Sequence, residues 1–247
     1  MNIVAMTDVG NIREINQDYA SFCQKSESEC LAVFCDGMGG HNAGEIASRL
    51  TCEDVIQAYQ SHSLFEDEEE IRIWLNDVII HANCLLQEMS QHQIELSGMG
   101  TTVVIALIVE NQLYVSHIGD SRAYYYNDDL IQLTKDDTYV NALVESGTIT
   151  KDEALVHPQK NILLQAVGVS DTLKVSFYHQ QFDEGMVMLC SDGLYNSLFD
   201  NQIVDIIQQD KTLEDIGHQL IDTANLYGGN DNIGFILMRK EEGVDHE

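Results

Sequence analysis

Proline appears once in this chain of 247 residues, at Pro158, so no proline-rich linker divides it. The length suits a single large domain over residues 1–240, with an acidic tail at 241–247 that is expected to fray. No stretch is long and apolar enough to span a bilayer, and Met1-Asn2-Ile3-Val4 lacks the basic start and cleavage site of a secretory signal. The expected location is cytoplasmic. Cys23, Cys30, Cys35, Cys52, Cys84 and Cys190 contain no C-x-x-C pair, which argues against a disulfide frame or zinc-thiolate site and for reduced, mostly buried thiols. Basic residues are scarce: Lys and Arg total 12 against 41 Asp and Glu, a formal net charge of −29. That charge repels phosphate backbones and anionic lipid, so neither nucleic acid nor a membrane is an expected partner. Apolar residues, at 44%, suffice for a sizeable core. The block Glu66-Asp67-Glu68-Glu69-Glu70 reads as solvated surface.

The stretch that organises the chain is Leu31-Ala32-Val33-Phe34-Cys35-Asp36-Gly37-Met38-Gly39-Gly40-His41. An apolar, β-favouring run stops at an aspartate, breaks into glycines and delivers a histidine before a helix opens. A carboxylate ending an interior strand costs desolvation energy unless a positive group meets it, and a metal ion is one answer. The stretch has neither the G-x-G-x-x-G order of a dinucleotide turn nor the G-K-[ST] ending of a P-loop, and by itself a tight structural turn explains it equally well.

Strands are expected at Asn2 to Thr7, Tyr19 to Cys23, Val103 to Val109, Leu113 to Ile118, Leu173 to Tyr178, Met186 to Cys190 and Ile233 to Met238. Apolar residues at helical spacing predict helices over Ala43 to Tyr59, Glu68 to Leu96, Asp200 to Gln208 and Leu213 to Asn225. A short helix is expected in Asp136 to Gly147 and another from Thr150, within a polar, irregular flap at about 135–168. Clustered strands and paired helices favour an α+β, four-layer αββα sandwich: two central, mostly antiparallel sheets flanked by helix pairs. Arg122 reads as the partner of a nearby carboxylate, and Arg13, taken singly, as a surface arginine. His62, His92, His157, His179 and His218 have no metal-type partner spacing.

Four separated places put an aspartate at a strand end or glycine turn: Asp36, Asp120, Asp192 and Asp231, with Asp18 as a fifth. If the strands bearing Asp18 and Asp36 form a hairpin, these two converge. Oxygen ligands without cysteine or an H-E-x-x-H pattern suit Mg²⁺ or Mn²⁺. Two such ions about 3.5 to 4 Å apart can activate a water for in-line attack on phosphorus. Dispersal of Asp36, Asp192 and Asp231 over distant surfaces, or a cradle already filled by lysine or arginine, would contradict this reading.

The signatures Asp8-x-Gly10-x-x-Arg13-x-x-Asn16-Gln17-Asp18, Asp36-Gly37-Met38-Gly39-Gly40-His41, Gly100-Thr101-Thr102, Gly119-Asp120-Ser121-Arg122, Ser191-Asp192-Gly193-Leu194 and Asp231-Asn232-Ile233 occur in that order. Together they resemble the type 2C metal-dependent serine/threonine protein phosphatases, in particular compact bacterial members. The resemblance implies hydrolysis of phosphoserine and phosphothreonine in proteins by a metal-bridging water without a covalent intermediate, opposing a bacterial Ser/Thr kinase. It implies that Asp36 bridges two Mn²⁺ or Mg²⁺ ions, that the Gly37 carbonyl holds one, and that Asp192 and Asp231 complete the other. Asp18 would act through waters, and Asp120 with Asp192 would match a third, weaker site. Arg13 would grip phosphate oxygens and His41 would protonate the departing alkoxide. The expected partners are phosphoproteins, including a Ser/Thr kinase and its targets, and the expected state is a monomer. Three positions depart from the family pattern: Gln17 for the frequent Glu, Asp137 for the usual His, and Gln165 for the frequent Arg. They bear on substrate choice and the third site. A regulatory module without turnover, or a hydrolase of small phosphate esters, are the alternatives that assay would separate.

Overall fold

A computed structural model describes residues 1–39 and 43–240. Among these residues eleven strands form two sheets in which every pairing is antiparallel. The first contains β1 (Asn2–Asp8), β11 (Ile233–Lys240), β10 (Gly185–Cys190), β7 (Arg122–Tyr126) and β8 (Leu130–Gln132), side by side in that order. The second runs β2 (Asp18–Gln24), β3 (Glu29–Met38), β5 (Val103–Val109), β6 (Gln112–Ile118) and β9 (Ser176–Gln181), with the short β4 (Gly100–Thr101) paired to the end of β3. Helices α1 (Ala43–Ser61) and α2 (Glu68–His92) pack on the second sheet. Helices α6 (Asp200–Ile207) and α7 (Leu213–Leu226) pack on the first.

Strand alternation explains why the central strands are apolar throughout rather than every second residue. On β3, Leu31, Val33 and Cys35 enter the core beneath α1 and α2, whereas Cys30, Ala32 and Phe34 enter the layer between the sheets. On β11, Phe235 and Leu237 face α7 while Ile236 and Met238 face the other sheet. Three cores, one between the sheets and one under each helix layer, give the αββα sandwich expected from the element order.

The acidic block at 66–70 does more than face water. Asp67 caps α2 by accepting from the backbone N–H of Glu70 at 2.8 Å, and Glu68, Glu69 and Glu70 occupy the first turn, where the helix dipole favours negative charge. Helix α2 ends at His92, short of the expected Leu96, with a 3₁₀ turn at Ile94–Leu96 completing the segment. Strand β9 starts at Ser176 and not at Leu173, because its partner β6 has run out: Ser176 pairs with His117, and the chain turns at Gly119 (φ 98°). Between β8 and β9 lie two short helices, α3 (Tyr139–Glu145), capped by Thr138, and α4 (Lys151–Leu155), opened by a Thr150/Glu153 capping box. Within this segment Thr138 bridges Leu163, and a single bridge from Val167 to Thr101 of β4 ties it back to the second sheet. A four-residue helix absent from the sequence expectation, α5 (Asp192–Tyr195), follows β10 directly.

Candidate metal centre

Antiparallel pairing brings one end of each sheet to a common rim. The register sets Asp18 of β2 directly opposite Asp36 of β3. Asp36 lies on the same strand face as Ala32 and Phe34, so it closes the layer between the sheets. In the other sheet Cys190, the last residue of β10, pairs with Arg122 on one side and Phe235 on the other. Asp192 just beyond β10, Asp120 just before β7 and Asp231 just before β11 therefore arrive at the same rim.

Backbone holders fix these aspartates. Thr102 accepts the Asp36 N–H on its hydroxyl at 3.0 Å, and Thr101 donates its hydroxyl to the Asp36 carbonyl at 2.8 Å. Ser191 donates to Asp18 Oδ2 at 2.6 Å. Asn232 accepts the Gln17 N–H at 2.9 Å and donates to the carbonyls of Val9 and Ile15, strapping the loop that bears Arg13 and Asp18 to the start of β11. Asp8 caps the turn at Gly10 and holds Asn225 of α7. Tyr195 of α5 donates to the Asp120 carbonyl at 3.1 Å and carries the Arg122 guanidinium 3.6 Å over its ring. Arg122 grips Asp136 through two nitrogens, at 3.0 and 2.7 Å, which fixes where the segment after β8 departs.

The glycines are contact points. A side chain at Gly37 would overlap the carbonyl of Gly44, where α1 begins, and one at Gly193 would overlap the carbonyl of Asn232. Backbones cross there without room for a Cβ, which is how β3, α1, α5 and β11 converge.

The carboxylates are poorly compensated. Burial pushes Asp18 up to about 8, against the Ser191 hydrogen bond that lowers it, with the charges of Asp192 and Asp231 adding to the rise. Asp36 is held well above the carboxylate range by burial and then by Asp18, Asp192, Asp120 and Asp231 in turn. Burial and Asp192 carry Asp120 to about 7. Burial and Asp231 carry Asp192 to about 6, although Arg13, Lys160 and Arg122 pull it down. Asp18 Oδ1 is buried with no partner among the described residues. Five mutually repelling carboxylates and an orphaned buried oxygen are the signature of a site built for positive charge. Every side-chain donor in the set is oxygen; Cys35 and Cys190 lie nearby in sequence but turn into the helix-facing cores. Hard divalent cations such as Mg²⁺ or Mn²⁺ fit this donor set. Among the described residues no three His, Cys, Asp or Glu side chains enclose an ion unaided. Such cations retain several waters, so their binding does not require a cage made of three side chains.

Arg13 does reach one of these oxygens: its Nη2 lies 2.7 Å from Asp231 Oδ2. The pair sits at the rim, with the Arg13 side chain 52% exposed and that of Asp231 37% exposed. Among the described residues the charges that raise Asp36 are the carboxylates of Asp18, Asp192, Asp120 and Asp231, so the arginine touches the rim of the cradle at Asp231. Gly37 supplies a backbone carbonyl at the end of β3. His41 lies outside the described residues, as does the expected tail at 241–247. The holders Thr101, Thr102, Ser191 and Asn232 stand inside the quoted signatures, Ser191 and Asn232 directly beside Asp192 and Asp231 and the two threonines in a signature of their own; Tyr195 carries no such signal. Two departures from the family pattern meet each other: Gln165 donates to Asp137 Oδ2 at 2.8 Å, and the same oxygen accepts the Gly119 N–H at 3.0 Å.

Residues 12–231 match the model of the family described as protein phosphatase 2C. A serine/threonine phosphatase of Listeria monocytogenes, Stp, is 35% identical over 237 residues, 95% of this chain and 94% of its own length. The structure of the S. agalactiae serine/threonine phosphatase superposes with a TM-score of 0.92 at 36% identity, covering 97% of this chain and 99% of that one. The catalytic domain of the serine threonine protein phosphatase PstP, in complex with 2 manganese ions, gives a TM-score of 0.82 at 30% identity and 96% coverage of both chains.

Proposed function

The chain belongs to the protein phosphatase 2C family, and from that premise we propose how its residues carry out metal-dependent hydrolysis of phosphoserine and phosphothreonine in proteins. The observation that carries the reading is the gathering of Asp18, Asp36, Asp120, Asp192 and Asp231, from distant parts of the chain, into one under-compensated nest.

Asp36, Asp192, Asp231 and the Gly37 carbonyl are the residues that would hold a pair of Mn²⁺ or Mg²⁺ ions, with Asp18 orienting waters around them. Asp120 and Asp192 would serve a third. When bound, these ions neutralise the nest and activate water for in-line attack on phosphorus. Arg13, half exposed and planar, would leave Asp231 for the phosphate oxygens and orient the ester by two parallel hydrogen bonds. The general-acid role falls to His41 on the resemblance alone. Thr101, Thr102 and Ser191 keep the nest in place by holding the backbone of Asp36 and the carboxylate of Asp18.

Residues 1–240 would work as one phosphatase unit, with 135–168 as a flap fastened to it by Arg122 and Asp136. Thiols without disulfides are compatible with a reducing cytoplasm, where a monomeric enzyme would reverse a Ser/Thr kinase acting on the same proteins. The test is turnover of a phosphothreonine peptide by the purified chain with Mn²⁺. The expected result is hydrolysis that EDTA abolishes and that Asp36→Asn reduces by at least about 100-fold, the usual loss when a group central to transition-state electrostatics is removed. Undiminished activity in either case would overturn the reading.

A further inference from the structure

A cavity of about 420 Å³ adjoins the nest and shares two of its carboxylates, Asp120 and Asp192. Its lining also contains Arg122, Lys135, Lys151 and Lys160. In a chain with 12 lysines and arginines against 41 acidic residues, four bases around one cavity are out of proportion to the surface at large. Their individual commitments matter more than the count. Arg122 is spent on Asp136, and Lys135 is paired with Glu145. Lys151, at the start of α4, and Lys160, in the loop after it, are exposed and have no carboxylate partner among the described residues. The Lys160 charge is nonetheless felt at Asp192.

On the acidic side of the lining, Asp136 is answered by Arg122, while Asp120 and Asp192 belong to the set that cations would neutralise. With those charges cancelled, the cavity adjoining the nest is left with two uncommitted ammonium groups. We infer that this cavity is a subsite for a second anionic group on the substrate chain, flanking the phosphorylated residue, and that Lys151 and Lys160 receive it. The inference rests on the phosphatase reading and deepens it. The second anion is either an acidic side chain or another phosphoryl group; a neighbouring phosphothreonine offers the larger charge and more acceptor oxygens. A lysine is suited to either, since its ammonium is a point charge on a flexible stem. The rest of the surface, with a formal charge of −29 over the chain, would otherwise disfavour such substrates. The subsite acts within the short range that salt leaves unscreened, about 10 Å at 0.1 M.

The experiment compares kcat/KM, with Mn²⁺ present, on four peptides of one length. One carries a single phosphothreonine with neutral neighbours, one glutamates beside it, one a second phosphothreonine, and one lysines. p-Nitrophenyl phosphate, which has no flank, is assayed alongside. The wild-type chain is expected to prefer the glutamate or doubly phosphorylated peptide over the neutral one by about 5-fold or more, and to disfavour the lysine peptide. In the Lys151→Gln/Lys160→Gln variant that ratio, which is independent of overall activity, is expected to fall to within about 2-fold of unity. A preference for glutamate and phosphate alike identifies general anion recognition; preference for the doubly phosphorylated peptide alone identifies a phosphate subsite. Turnover of all substrates without preference, or a preference that the double variant retains, overturns the subsite while leaving the phosphatase reading intact. Failure to hydrolyse any of them, p-nitrophenyl phosphate included, overturns both.

Discussion

Asp18 concentrates the conflict between stability and function in a single side chain. Its carboxylate is buried, one oxygen takes a hydrogen bond from Ser191, and the other has no partner among the described residues. Such a group is kept at a cost only where something else uses it. With metal removed by EDTA, Asp18→Asn is therefore expected to raise stability at pH 8.5, by the order of 1–3 kcal/mol, and to change it little at pH 4. The sign follows from the direction of the shift. Folding raises the Asp18 pKa from 3.8 to about 8, so the folded chain holds the proton longer and loses stability as pH climbs between those values. Urea unfolding of the two proteins at both pH values checks this, and an asparagine variant no more stable at pH 8.5 would contradict it. The pairing of Asp18 with Asp36 is legible in the sequence as far as their two strands are read as a hairpin, and the short connection between β2 and β3 makes them one. Their closeness to Asp192 and Asp231 was not readable from spacing, since long-range strand pairing decides it; only the ordered signatures pointed there.

At the scale of elements, the junction of β10, α5 and β11 does most to assemble the nest. Gly193 lies against the Asn232 carbonyl with no room for a Cβ, and Asn232 straps the loop bearing Arg13 and Asp18. Gly193→Ala is expected to cost more than about 2 kcal/mol, as overpacking at a backbone crossing does, and to weaken metal binding with it. Gly147→Ala is the control: its φ of 71° disfavours a side chain, but nothing lies within 4 Å, so the cost should stay near 1 kcal/mol and metal binding should be unchanged. Thermal unfolding of both variants, with and without Mn²⁺, separates the two effects; equal losses would contradict the crossing argument. Helix α5 escaped the sequence reading because four residues are too few to carry a helical period, and the glycine that marks it looked like a turn. The long helices and the all-apolar strands were legible because burial on one face or on two writes a pattern that local composition preserves. Leu173 and Val175 pack against the helix-facing core, yet they lie outside β9, since a ladder needs a partner strand that composition cannot announce.

For the molecule as a whole, charge is arranged in tiers. The surface is strongly acidic, the rim nest is acidic and partly buried, and the cavity next to it carries Lys151 and Lys160, which have no carboxylate partner among the described residues. The αββα architecture makes this possible by delivering one end of each of two sheets to a shared rim while the apolar layer between them excludes water behind it. Asp18 at about 8, Asp120 at about 7 and Asp192 at about 6 are all protonated more readily than free carboxylates, and cations entering the nest must displace those protons. Affinity for metal should therefore rise with pH across the interval from about 6 to 8, with fewer protons released at the upper end. The decisive measurement is calorimetric titration of the metal-free chain with Mn²⁺ at pH 6.5 and 8, in two buffers of different ionisation enthalpy. Binding of about two or more ions per chain is predicted, tighter at pH 8, with proton release at pH 6.5 that shrinks at pH 8 and is largely lost in Asp36→Asn. Absence of binding at both pH values, or binding that ignores both pH and the Asp36 substitution, would contradict the claim that these five carboxylates are gathered to hold cations.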